Sequence, residues 1–243
     1  MSNAREDNRN RVLPIQRETL LEFRRRLLAW YADNGRNLPW RRGSASKYKL
    51  VISELLLQRT RAETVADFFD TFFSQYPSWK KLAEANEPEI GRVIRPIGLW
   101  KRRALTLKQL ATVMAKRNGR FPRTRTEVEA LPGVGQYIAN AILLLCHGEA
   151  QPLLDANMAR VLERVFGPRK LADIRYDPYL QDLAFEVVQC KEAKELNWAI
   201  LDLAASKCLP RKPHCNTCPL EVVCLRVRKD RTIGRTDTNA NWK

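Results

Sequence analysis

The segment Leu131-Pro132-Gly133-Val134-Gly135 limits the possible folds of this chain more than any other stretch. It separates a predicted helix that begins at Thr126 from an apolar one over residues 136–146. A joint this short admits little besides an antiparallel helix pair. Gly133 and Gly135 allow backbone conformations and close approaches that a side chain would obstruct. The second helix starts at the joint, so its unpaired N–H groups and positive dipole end point outward. Such a turn is either a plain hairpin or a helix-hairpin-helix. In the second case its backbone, at Leu131, Gly133, Val134 and Gly135, grips a nucleic-acid phosphate, and the local string favours that reading. A lone acid, Asp155, follows the apolar helix and stands where the next helix needs an N-cap.

Charge points the same way. The 243 residues hold 43 Lys+Arg against 27 Asp+Glu, a net charge of +16. A field of that size attracts polyanions, and nucleic acid is the commonest of these. A generic basic protein or a ribosome-binding factor shares the charge, which alone does not separate them. The length suits one large or two modest domains. No apolar run reaches the roughly 18 residues a membrane span needs. The opening MSNAREDNRNRV lacks the apolar core of a secretory signal. The expected setting is cytoplasmic and nucleoid-associated, with no membrane partner.

The rest of the chain reads as helices. Leu20, Phe23, Leu27 and Leu28 recur at helical spacing within residues 15–31, and Gly35 stops them. Trp40 is expected in a core. Further helices are predicted over residues 48–58 and 62–76, as two short pieces within 79–97, and over 105–114. After Asp155 they run through residue 165 and over 178–188 and 193–206. Thr126 and Glu129 have capping-box spacing. Residues 1–14 read as an arm and 227–243 as a basic tail. No segment alternates as a strand does, so the fold class is all-α. Arg102 and Arg103 fall at the positive end of their helix, where they do not stabilise its dipole. An external phosphate explains that pair better than folding does.

Cys208-x6-Cys215-x2-Cys218-x5-Cys224 is the strongest motif. In a reducing compartment such a cluster is a metal site rather than a disulfide pair. Its spacing leaves zinc and an iron–sulfur cluster both open. Lys207, Arg211, Lys212 and Arg226 surround it, so this loop is also expected to meet phosphates. Cys146 and Cys190 read as small apolar residues.

The string LPGVG-x-x-x-A-x-A resembles the hairpin of the endonuclease III and MutY superfamily of DNA glycosylases. The resemblance runs from about residue 15 to 226, and it implies a helix-hairpin-helix fold of two helical domains with the active-site cleft between them. It implies a cluster domain from residues 15–46 plus 154–226 and a helical barrel from 47–153. The motif Leu154-Asp155-Ala156-Asn157 matches the family's catalytic aspartate context. The cysteine spacing matches the family's [4Fe–4S] ligands, and a monovalent cation is a further expected ligand at the hairpin. Family members that also cut the strand carry a lysine two residues beyond the second glycine, where it forms a Schiff base. Here that residue is Tyr137, and a phenol cannot make the imine. Ser53-Glu54-x-x-Leu57-Gln58 resembles the MutY segment whose glutamate protonates adenine; burial would raise the pKa of Glu54 and let it hold a proton. The resemblance makes Gln58 the intercalating glutamine, with Arg59 beside it, and makes Leu99 the wedge in the opposite strand.

The expected activity is a monofunctional glycosylase of base-excision repair. It would flip thymine or uracil opposite guanine out of double-stranded DNA and hydrolyse the glycosidic bond, acting as a monomer. Tyr137, Asp155-Ala156-Asn157 and Gly98-Leu99-x-x-x-Arg103-Ala104 resemble the archaeal thymine–DNA mismatch enzymes. The absence of MutY's C-terminal domain counts in the same direction. Adenine removal is the alternative, supported by Glu54 and Leu57-Gln58. An endonuclease III-like lyase and a non-catalytic DNA-binding module are further alternatives.

Overall fold

The computed structural model describes residues 16–43 and 45–232. The predicted N-terminal arm and the part of the predicted tail beyond residue 232 lie outside them. The described residues are helical throughout, with no strand among them. They form two compact units, residues 16–35 with 154–232, and residues 36–43 with 45–153.

The first unit contains α1 (Arg17–Asn34), α9 (Ala156–Phe166), α10 (Pro178–Val188), α11 (Ala193–Ser206) and α12 (Leu225–Thr232). Phe23 and Leu27 of α1, Leu162 of α9 and Ile200 of α11 are fully buried in one core. Each such side chain contributes about 1.5–3 kcal/mol through burial. Asp177 caps α10 and is itself buried, its carboxylate accepting from the amides of Lys170, Leu171 and Leu180 at 2.7–2.8 Å. Burial alone would raise its pKa, but these amides hold it below the usual value.

The second unit contains α2 (Lys47–Leu57), α3 (Ala62–Gln75), α4 (Trp79–Glu84), α5 (Glu87–Ile94), α6 (Trp100–Lys116), α7 (Arg125–Glu129) and α8 (Gln136–His147). Its core joins Val51 and Ile52 of α2 to Phe72 of α3, Leu107 and Leu110 of α6, and Ile138 of α8. Helix α8 is buried on nearly every side from Ile138 to Leu144, which is why its sequence is apolar all round. Its one polar interior side chain, Asn140, is satisfied: it donates to Pro152 O at 2.8 Å and accepts from Arg125 at 2.7 Å.

Several boundaries differ from expectation. The chain changes unit after Gly35 rather than at residue 46, because Leu38 and Trp40 pack into the second core. Thr124, not Thr126, caps α7: its hydroxyl accepts from the Glu127 amide and donates to the Glu127 carboxylate at 2.7 Å. Helix α6 starts at Trp100, ahead of the predicted 105. The tail reading is corrected for residues 227–232, which belong to α12 (Leu225–Thr232); Val227 is buried there and the helix packs on α9.

Candidate active site and nucleic-acid interface

The hairpin forms as α7, the predicted joint and α8. Gly133 has φ 73°, a left-handed conformation, and a Cβ added there would lie 2.1 Å from Thr106 Cγ2. Gly135 caps α8 with ordinary φ, and a Cβ there would meet nothing within 4 Å. The four hairpin residues divide into pairs. Leu131 and Val134 bury their side chains, and their amides already donate to Val128 O and Leu131 O at 3.1 Å each. The amides of exposed Gly133 and Gly135 have no acceptor among the described residues. Of these four residues, the two glycines are therefore the ones that offer an open amide to an incoming phosphate.

This difference yields a paired prediction. Gly133→Ala is expected to cost about 1–2 kcal/mol or more, from the positive φ and the Thr106 clash. Gly135→Ala is expected to cost less than about 1 kcal/mol, the cap preference alone. If Gly135 admits a phosphate, the same change weakens duplex binding severalfold. Thermal melts and fluorescence anisotropy measure the two effects. Unchanged affinity in Gly135→Ala removes this amide from the interface.

Glu54 and Tyr137 lie 83 positions apart and meet in the second unit. Helix α2 carries Glu54 into the interior, 3% exposed, because its neighbours Ile52, Ser53, Leu55 and Leu56 are buried too. Tyr137, in the first turn of α8, donates its hydroxyl to Glu54 Oε2 at 3.0 Å. The phenol is partly buried against the core. A buried carboxyl and a phenol thus form one polar unit that can hand a proton or a hydrogen bond to an adjoining group.

Asp155 caps α9 in the first unit and is half-buried. Its Oδ1 accepts from the amides of Asn157 and Met158 at 2.9 and 2.8 Å. Its Oδ2 accepts from Asn157 Nδ2 at 2.7 Å. Asn157 Oδ1 in turn accepts from Arg160 Nη2 at 3.1 Å, and Arg160 Nε donates to Cys208 O at 2.9 Å. A carboxylate held by three donors is pre-oriented, at no further cost when charge develops beside it. Sequence reasoning assigned no role to Asn157 or Arg160. The Asp155-Ala156-Asn157 string held the first, but nothing local signalled the second.

Gln58 and Arg59 are exposed in the turn after α2, and Leu99 is 56% exposed in the turn before α6. Arg102 is exposed. Arg103 is not: it is 9% exposed, and its guanidinium donates to Ile97 O, Gly98 O, Gln58 O and Thr60 Oγ1. The expectation that this pair serves an external phosphate is corrected for Arg103, whose two Nη groups are already spent inside the fold.

Cys208, Cys215, Cys218 and Cys224 line one cavity in the first unit, and none is in a disulfide. Arg164 Nη1 lies 3.2 Å from Cys208 Sγ, and Cys224 Sγ lies 3.3 Å from Arg164 O. Among the described residues no three His, Cys, Asp or Glu side chains converge on a point that one metal ion could occupy. Cys146, by contrast, is buried in the second core, where desolvation pushes its thiol up to about 12, as befits a small apolar residue. No helix among the described residues is long and apolar enough to cross a membrane.

Residues 52–176 match the family described as HhH-GPD superfamily base excision DNA repair protein. A thymine-DNA glycosylase of Aeropyrum pernix is 40% identical over 224 residues, covering 90% of this chain and 100% of that protein. An adenine DNA glycosylase of Rattus norvegicus is 32% identical over 217 residues, covering 83% of this chain and 41% of the rat protein. The solved structure of a thermostable thymine-DNA glycosylase matches with a TM-score of 0.80 at 33% identity, covering 87% of this chain and 98% of its own.

Proposed function

Since the chain belongs to the HhH-GPD superfamily of base excision DNA repair proteins, as its hairpin string predicted, we propose that it is a monofunctional DNA glycosylase for thymine or uracil opposite guanine. The observation that carries this reading is the Tyr137–Glu54 hydrogen bond. A phenol occupies the position where a lyase needs an amine, and it is tied to a buried carboxyl. The likeness to a thymine-DNA glycosylase along its whole length supports the choice of base.

The chemistry follows from the charges that the reaction creates. The N-glycosidic bond breaks with its electron pair going to the base, leaving positive charge on the sugar. Asp155 supplies the anion that stabilises the sugar cation, and water then adds to the sugar carbon. Glu54, steered by Tyr137, supplies a proton or hydrogen bond to the departing base. Gln58 and Leu99 fill the gap that the flipped nucleotide leaves. The amides of Gly133 and Gly135 hold a backbone phosphate.

Cys208, Cys215, Cys218 and Cys224 fit a [4Fe–4S] cluster. Four thiols line one cavity, at the sequence spacing that the family resemblance assigns to such a cluster. Arg164 beside Cys208 Sγ offsets thiolate charge. The cluster, when bound, would cross-link a loop with little core of its own.

A panel of duplexes carrying G·T, G·U and 8-oxoguanine·A pairs tests the reading. Strand breaks at T and U are expected after alkali and not before it. Excision of adenine alone replaces the reading with the adenine enzyme, which the burial of Glu54 also suits. A covalent adduct trapped by borohydride overturns the monofunctional assignment.

A further inference from the structure

Two surface turns of the second unit share one buried cation. The turn at residues 58–60 follows α2, and the turn at residues 97–99 precedes α6. Each holds a non-glycine residue in the left-handed region, Arg59 at φ 59° and Leu99 at φ 51°. Such conformations persist only where surrounding contacts determine them. The contacts here come from Arg103. Its Nη1 donates to Ile97 O at 2.8 Å and Gly98 O at 2.9 Å. Its Nη2 donates to Gln58 O and to Thr60 Oγ1, the latter at 2.8 Å. Thr60 Oγ1 closes the loop by donating to Ile97 O at 3.3 Å.

One arm of a rigid planar fork therefore serves each turn. No carboxylate takes part in these bonds. A buried charge held by carbonyl and hydroxyl dipoles, with no counter-charge, carries a desolvation cost that an apolar anchor would avoid. What the fork supplies in return is geometry, because it sets the spacing of the two turns through bonds with strict directions. The side chains those turns expose include Gln58, with Arg59 beside it, and Leu99.

We propose that Arg103 is a positioning residue that locks the turns of Gln58 and Leu99 into a single two-pronged probe, so that opening of the duplex depends on it. This rests on the reading of Gln58 and Leu99 given under Proposed function. The role concerns base extrusion and not bond cleavage, which separates it from that of Asp155 and Glu54.

The test uses the full chain carrying Asp155→Asn as a non-cleaving background, and a G·T duplex with 2-aminopurine beside the thymine. Extrusion unstacks the probe and raises its fluorescence, while anisotropy of an end label reports binding. With Arg103 intact, saturating protein is expected to raise the emission. Adding Arg103→Gln or Thr60→Val is expected to cut that rise at least about threefold while affinity changes less than about threefold, since phosphate contacts dominate affinity. Thr60→Val keeps the volume and the cation and removes only the shared hydroxyl, so it decides the matter if Arg103→Gln does not fold. A rise that persists in the variants overturns the role of Arg103. Loss of emission that merely tracks loss of binding overturns it too. No rise with Arg103 intact overturns instead the assignment of Gln58 and Leu99 from which the inference starts.

Discussion

Replacing Asp155 with asparagine is expected to slow base excision by about 10³-fold or more while leaving duplex binding nearly unchanged. The substitution is nearly isosteric. Asn Oδ1 can still accept from the amides of Asn157 and Met158, so the cap on α9 survives. Stability should therefore fall by less than about 1 kcal/mol. What disappears is the negative charge that faces the developing sugar cation, together with the bond from Asn157 Nδ2, whose acceptor Oδ2 becomes an amide nitrogen. Asp155→Ala provides the contrast, losing the charge and the cap together, at a cost of about 1 kcal/mol in stability. Single-turnover excision, thermal melts and anisotropy distinguish the cases. Full activity in Asp155→Asn would show that the carboxylate is only a cap.

The second large effect concerns the cysteines. Cys218→Ala is expected to remove the visible absorption and bound iron of the purified protein and to lower Tm by more than about 10 °C. The segment between α11 and α12 has one short turn of 3-10 helix, Cys215–Thr217, and few buried apolar side chains, Leu220 and Val223 among them. Under the proposed assignment, a group held by the four thiols would supply much of its order. Activity should fall with it for a specific reason. Arg160 donates to Ala204 O and Cys208 O and to Asn157, and Asn157 holds Asp155. Releasing the cysteine loop frees one end of that chain. Stoichiometric zinc without iron in the wild-type protein would overturn the cluster assignment.

Much of the fold was legible because helices announce themselves locally. Apolar residues at helical spacing marked α1, and the two short pieces predicted within residues 79–97 are α4 and α5, divided at Asn86, which forms a full capping box with Glu89. Tertiary contacts moved the details. Thr124 and Thr126 both precede a glutamate at the right spacing, and the structure caps α7 with the first. Helix α12 was missed because its sequence is mostly charged; Val227 buries its side chain against structure distant in sequence.

By itself, the sequence determined an all-helical chain, a glycine hairpin, a capping acid at Asp155 and a thiol cluster, since each is written in a few adjacent residues. It also carried the family resemblance that the whole-length match to known glycosylases bears out. Only the tertiary structure decided which side chains face what. Arg102 and Arg103 are neighbours with the same charge, yet one step around a helix turns a side chain by about 100°. That rotation leaves Arg102 in solvent and turns Arg103 onto four internal acceptors. The same logic separates buried Leu131 and Val134 from the open amides of Gly133 and Gly135, and joins Tyr137 to Glu54. Local strings encode conformation, while partners remote in sequence decide whether a polar group is spent inside the fold or remains for a ligand.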